Sequence, residues 1–338
     1  MRITISTGIY PPKTSGPAQY AQNMAHFWSK MGHDVEVCTY GIENRLPTGI
    51  RHFYYFLKVL PRVWRSDVVF ILDTFSVGLP TTLAAKLLGK KTILRTGGDF
   101  LWEGYVERTG DLVLLKDFYK TSITNFSLKE KIIFNLIKWT LNNVDLLVFS
   151  TDWQRQIFLD PYKIKIDKTL IIENHYEKIK NDTKDFDFGL PKNFVGSVRP
   201  LKWKNINLLR EVFSDADLHN KGVVLDTETM NHENFLNKIS NSFAVILVSL
   251  GDISPHMILD AISLNKPFIL TSENGLMNRI KDIAITVNPK DKKDIKDKIN
   301  WLLNEDNYKN QVDKISKFSF SRTWEDIALE YLDIFKKL

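Results

Sequence analysis

SLGDISPHMILDAISLNKPFILTSENGL, residues 249–276, is the stretch from which the fold can be read. Ahead of it, Ala244 to Val248 is an unbroken apolar run of strand length, and Phe268 to Thr271 is a second one inside it. Between the two, Met257, Ile258, Ala261, Ile262 and Leu264 recur at helical spacing and form a stripe to be buried. Strand, helix and strand in so short a span predict a βαβ unit and a parallel sheet. Gly251 lies in the loop that leaves the first strand, and Ser254-Pro255 reads as a helix N-cap followed by proline at the first helical position. Proline has no amide hydrogen, but the amides of His256 and Met257 would point out of the helix start, a setting suited to a diphosphate.

Two acids flank this helix start. Asp252 precedes it in the loop and Asp260 follows eight residues later inside the helix. A carboxylate accepts hydrogen bonds from vicinal hydroxyls, so the pair can grip two sugar rings on either side of a bound diphosphate. The plainer alternative is a loop aspartate and a partly exposed helical one.

The same alternation runs through the rest of the chain. Ile3 to Ser6, Val35 to Thr39, Val68 to Leu72, Thr92 to Arg95 and Leu146 to Ser150 read as strands, with a helix over Ala18 to Met31 that Gly32 stops. A polar stretch, Tyr176 to Pro191, precedes a second series: Phe194 to Gly196, Gly222 to Asp226, Phe243 to Val248, Phe268 to Thr271 and Ile283 to Val287. The expected organisation is a first domain over 1–175, a second over 176–319, and a last helix in 320–338 that returns to the first.

With 338 residues, 43% of them hydrophobic, the chain can build two cores. Its 16 glycines, 12 prolines and single cysteine exclude a collagen-like, disordered or disulfide-stapled protein. Cys38, in a strand-like setting, reads as a buried thiol. No G-x-G-x-x-G follows the first strand and no His/Cys pattern has zinc spacing, which removes support for a dehydrogenase or a zinc site. The longest apolar runs are strand-sized and the N-terminus carries no apolar signal core, so the protein is expected to be cytoplasmic, soluble or peripheral.

The net charge of +6 is lopsided: the first 175 residues hold 22 Lys+Arg against 16 Asp+Glu, and the rest hold 24 of each. Residues 44–66 contain five basic side chains and no acid. Arg51, Lys58, Arg62 and Arg65 fall on one helical face there, a pattern that suits either an anionic membrane surface or an ordinary solvated face. Pro61 is expected to kink or divide that helix. No nucleic-acid motif accompanies these cations.

The acidic pair and the strand entry Asn265-Lys266-Pro267-Phe268-Ile269 resemble family 4 retaining glycosyltransferases, which carry Glu, seven residues, then Glu-Ala ahead of a G-x-P-V-I strand. Here both acids are Asp. The resemblance extends to the N-terminus, where Tyr10-Pro11-Pro12 through Ser15-Gly16 and Lys30 to Val35 are similar to the family's first loop and G-H-x-V turn. It implies that Ser15 and Gly16 approach the donor phosphates, although Gly16 also has the reading of a plain turn residue. FVGSVRPLKWKNINLL, from Phe194 on, is similar to the segment that supplies basic groups to the departing diphosphate, with Ser197 in place of the family's Arg and with Arg199, Lys202 and Lys204 nearby. Leu94 to Arg108 stands where relatives place a His-Asp pair; it has no histidine, and Asp99, Trp102 and Glu103 become the candidate contacts for the transferred sugar or the acceptor. Thr227, at the end of a strand in the shortened second unit, is the candidate contact for base or phosphate.

The resemblance therefore implies a GT-B fold of two Rossmann-like α/β domains with parallel sheets facing a central cleft. The implied activity is transfer of a sugar, with retention, from a nucleotide-sugar donor to a glycan or lipid-linked acceptor in cell-surface polysaccharide or glycoconjugate synthesis. Asp99, Asp252, Lys202 and Arg199 are the expected catalytic residues. Gly16, Ser15, Lys204, Thr227, Ser254, His256, Met257 and Asp260 are expected at the donor, and Trp102, Glu103, Arg51, Lys58, Arg62 and Arg65 at the acceptor or membrane. No cofactor and no metal are expected, with diphosphate stabilisation supplied by the protein. A nucleotide-sugar epimerase of the same fold and a non-catalytic carbohydrate-binding scaffold are the rivals.

Overall fold

In the computed structural model, which describes residues 1–12, 16–178, 186–197 and 199–338, the apolar runs become two all-parallel sheets. The first contains β1 (Arg2–Thr7), β2 (Asp34–Thr39), β3 (Val68–Ile71), β4 (Lys91–Thr96), β5 (Leu146–Phe149) and β6 (Thr169–Ile171), in the order β2-β1-β3-β4-β5-β6. The first five match the expected strands. The sixth is only three residues long, too short for any periodicity to mark it. The second sheet contains β7 (Lys192–Val195), β8 (Val223–Asp226), β9 (Ala244–Leu247), β10 (Phe268–Thr271) and β11 (Ile285–Val287), in the order β11-β10-β9-β7-β8. In each sheet the chain steps to one side of the first strand and then to the other, which creates a switch point: β1/β3 in one, β7/β9 in the other. Ligands of such sheets sit beyond the carboxyl ends of the strands at that point.

The first unit comprises Met1–Leu101, Ser122–His175 and Arg322–Leu338; the second comprises Trp102–Thr121 and Tyr176–Ser321. The segment 102–121, expected with the first domain, thus groups with the second. Its anchors are specific. Leu115 donates its amide to the Leu250 carbonyl at 3.1 Å, and the Trp102 ring lies 5.5 Å from that of Trp203. Gly251 permits this approach, since a Cβ there would stand 2.5 Å from Leu115 Cβ.

In the first unit, the helix Gly16–Lys30 lays Tyr20, Ala21, Met24 and Trp28 on the sheet, and the final helix Trp324–Phe335 adds Ile327, Ala328 and Tyr331 to the same core. Trp28 is fully buried, edge-on to Phe70 at 5.2 Å, and donates its indole N–H to the Ala328 carbonyl at 3.1 Å. Gly32 ends the first helix with φ of 83°, a conformation that glycine adopts without penalty. Cys38 is buried, and burial raises its thiol pKa.

Replacing Trp28 by Ala removes ring packing and an indole hydrogen bond together, and should destabilise the first unit by about 3–5 kcal/mol. Urea unfolding followed by circular dichroism checks this; an unchanged midpoint would show that the final helix is not held through Trp28.

Candidate functional site

The site is built at the carboxyl ends of β7, β9 and β10. After β9 the chain forms a loop whose backbone is stitched to the loop after β10: the Asp252 amide donates to the Glu273 carbonyl at 2.9 Å and the Gly275 amide to the Asp252 carbonyl at 3.0 Å. With its backbone held, Asp252 presents Oδ2 to Lys204 Nζ at 2.5 Å and to Ser249 Oγ at 3.3 Å. Lys204 arrives from the turn after β7, and its ammonium lies 4.3 Å from the Trp203 ring centre. Both members of the pair are only 12% exposed. Removing two charges from water offsets most of their attraction, so the pair contributes little net stability, while loss of one partner strands the other. Its main effect is positional: it holds one acid and one cation, 48 residues apart in sequence, at one place.

The helix His256–Ser263 starts one residue later than the sequence reading has it. Pro255, not Ser254, is the N-cap, with φ −69° and ψ 101°, and its carbonyl accepts from the Ile258 amide at 3.0 Å. The extended ψ puts the proline outside the helix, so His256 takes the first helical position. A proline cap offers no side-chain acceptor to the amides of the first turn. The buried stripe also shifts: Leu259 is buried, and Met257 is half-buried at its edge.

On the second turn, Asp260 Oδ2 stands 3.3 Å from His232 Nε2. This hydrogen bond raises the histidine pKa above 6.5, against the opposing effect of burial. Tyr176 feels the Asp260 charge: burial, and then that charge, push its phenol up to about 12, and among the described residues its hydroxyl has no hydrogen-bond partner. Neither His232 nor Tyr176 stands out in the sequence, because only the fold brings them to Asp260.

Glu273 is a third site residue that the sequence reading missed. It is 3% exposed and follows β10 by two residues. Its Oε1 accepts from Lys116 Nζ at 2.5 Å, and its Oε2 is buried without a partner among the described residues. An acid two residues after the apolar run Phe268 to Thr271 was the available signal; Lys116, 157 residues away, had none.

The other expected residues fall in several places. Lys202 is engaged with Glu107, donating its ammonium to the carbonyl and its amide to Oε1, both at 2.7 Å. Arg199 is exposed, and its amide lies 3.4 Å from Ser197 Oγ. Thr227 Oγ1 accepts from Arg210 at 3.3 Å. Trp102 is a correction: it is buried and donates its indole N–H to the Val113 carbonyl at 3.0 Å, so its ring is a packing group and not a platform for a sugar. Glu103 is half-buried in the first turn of the helix Phe100–Thr109. In the first unit, Asp99 is buried and accepts from the Leu101 amide at 3.1 Å, and Gly16 is an exposed first residue of its helix. Ser15 lies outside the described residues.

The basic segment forms one helix, Thr48–Arg65, that runs through Pro61 without dividing. Its basic face is largely turned onto its own unit. Arg51 donates to the carbonyls of Glu43 at 2.9 Å and Leu46 at 3.2 Å, Lys58 reaches Glu43 at 2.9 Å, and Arg62 pairs with Glu36 at 2.8 Å. Burial pushes the Glu43 carboxyl up, but hydrogen bonds from Lys58 and the Gly41 amide outweigh it and hold the pKa low. Only Arg65 of the four is exposed. The neutralising acids stand outside the 44–66 window, so that window overstated the free positive charge.

No protein-family model matches the sequence, and no curated protein does. Solved structures match along the whole chain. A sucrose-phosphate synthase from Thermosynechococcus elongatus superposes with a TM-score of 0.67 at 12% identity, covering 99% of this chain and 98% of that one. The Anabaena protein HepE, in complex with UDP and glucose, gives 0.68 at 12% identity with both chains fully covered. A glycosyltransferase from Rickettsia africae gives 0.65 at 14% identity over 99% and 98%. With its six- and five-stranded parallel sheets, the chain has the GT-B fold.

Proposed function

We propose that this protein is a retaining glycosyltransferase that takes a sugar from a nucleotide-sugar donor held by the second unit and passes it to a glycan or lipid-linked acceptor in cell-surface glycan synthesis. The observation that carries the reading is the Lys204–Asp252 pair, fixed at the β7/β9 switch point beside a helix start capped by proline. As the bond from the anomeric carbon to the diphosphate breaks, its electron pair goes to the phosphate oxygen, while the acceptor hydroxyl oxygen bonds to the same carbon from the leaving-group face and its proton passes to the departing phosphate. Lys204, with the dipole of the helix His256–Ser263 and the nearby Arg199, meets that growing charge. Asp252 orients Lys204 and accepts from a hydroxyl of the transferred sugar; the unpaired Oε2 of Glu273 is a second acceptor. Asp260, on the second helical turn, takes the ribose hydroxyls. Charge stabilisation and positioning supply the catalysis. Complexes of HepE with UDP and with UDP-glucose make a uridine nucleotide the first donor to test.

A panel of nucleotide sugars, assayed for nucleoside diphosphate release with and without cell-envelope glycolipid extract, decides the matter. Acceptor-stimulated release supports transfer, conversion of the donor without acceptor replaces the reading by an epimerase, and tight binding without turnover replaces it by a scaffold. Lys204→Met combined with Asp252→Asn, which strands no charge, should lower kcat by about 10²–10³ while the protein stays folded.

The His232–Asp260 contact also predicts a pH dependence. Because the folded-state histidine pKa is raised above 6.5, the charged contact is present at low pH and fades as pH rises through that raised value. Protonated His232 competes with ribose for Asp260, so UDP should bind more tightly at about pH 8 than at about pH 6, on either side of the range where histidine titrates. Calorimetric titration of wild type and His232→Ala checks this, the variant losing the dependence. A wild type with equal affinity at both settings would remove Asp260 from the nucleotide site.

A further inference from the structure

Right-handed crossovers put the helices Thr48–Arg65, Gly78–Leu87 and Leu128–Asn143, which follow β2, β3 and β4, side by side on one face of the first sheet. The inward stripe of Thr48–Arg65 is Tyr55, Val59 and Val63. A surface helix with that stripe is ordinarily polar on its other side. Here Ile50, Phe53, Leu57 and Trp64 are exposed at helical spacing, Phe53 to 65% and Trp64 to 64%, and the other two helices of the layer expose Leu87 and Leu128 as well. Scattered exposed leucines are ordinary, but a stripe of aromatic and aliphatic side chains along the outer side of one helix marks an interaction surface.

The charge around the stripe has one sign. The three helices carry eight basic residues and a single acid, Glu130, and Glu130 is buried in a capping box with Ser127. The exposed charges among them are therefore cations: Arg65, Lys86, Lys129 and Lys131. A second copy of the chain docked here would set like charges against one another. Anionic lipid matches both properties, since rings and aliphatic side chains enter the headgroup boundary while cations meet the phosphates. No helix among the described residues is long and apolar enough to cross a membrane, so the contact would be a surface one.

We infer that this helical layer docks on an anionic membrane surface through Phe53, Leu57 and Trp64, with Lys86, Lys129 and Lys131 supplying the preference for negative headgroups. This surface is distinct from the basic face expected from the sequence, which Glu36 and Glu43 occupy. The inference does not rest on the glycosyl-transfer reading, and either can fail alone.

Sedimentation of the full chain with vesicles tests it. Binding should be strong to phosphatidylglycerol vesicles, weak to phosphatidylcholine, and reduced by salt. Phe53→Ser, Leu57→Ser and Trp64→Ser combined should lower partitioning by about tenfold or more with thermal unfolding unchanged, because all three side chains are exposed. Changing Lys86, Lys129 and Lys131 to Gln should remove the preference for phosphatidylglycerol. Wild type that ignores phosphatidylglycerol vesicles, or a folded triple-Ser variant that binds as well as wild type, would overturn the inference. A dimer that the triple-Ser variant dissociates, without vesicle binding, would overturn it in favour of self-association.

Discussion

Because every neighbouring pair of strands in both sheets is parallel, no strand can be reached from its neighbour by a tight turn, and the chain must travel back along a helix each time. The loops that leave the strands are thereby collected at one edge of each sheet. In the second sheet that constraint alone accounts for the meeting of Lys204 after β7, Asp252 after β9 and Glu273 after β10. The candidate site is assembled from three separate turns, each tied to a buried strand, so its geometry inherits the rigidity of the sheet.

Charge is managed in the same economical way. The acid at position 252 is one methylene shorter than the Glu of the family it resembles, and the long side chain of Lys204 closes the distance from the other direction. Glu273 is fixed by Lys116 at one oxygen only, which leaves a buried acceptor with capacity. Asp260 is in contact with an exposed histidine, while its charge only adds to the raising of the buried Tyr176 phenol, so the contact that changes near neutral pH is the one to His232.

Most of the framework was legible in residue order. Ten of the eleven strands are legible in the sequence: β3, β9 and β10 as buried runs without polar alternation, as parallel strands covered on both faces require, and β1 and β2 by the alternation of Ile3 with Ile5 and of Val35 with Val37. The pairing of Lys204 with Asp252 was legible only as two candidates in separate motifs. What could not be read depended on contacts at long range. Trp102 resembles a surface aromatic until Trp203 is placed beside it, and Lys202 resembles a phosphate ligand until Glu107 is. The helix Thr48–Arg65 shows the limit most clearly: a composition window saw its cations, whereas the acids that pair with them come from β2 and the turn that follows it. Ser254 and Pro255 differ from expectation for a local reason, a single backbone ψ that moves the proline from the first helical position to the cap.

The allotment of segments to the two units also bears on how the protein is made. The chain passes from one unit to the other after Leu101, returns after Thr121, leaves again after His175, and comes back after Ser321. During synthesis, Trp102 and Leu115 emerge before the loops that receive them exist, and the groove for Tyr331 and Phe335 stays uncovered until the helix Trp324–Phe335 has been made. Neither unit is therefore an autonomous product of a continuous stretch of message. A fragment cut at the polar stretch after Tyr176 would carry two exposed apolar docking sites, one waiting for a partner and one whose partner has been removed.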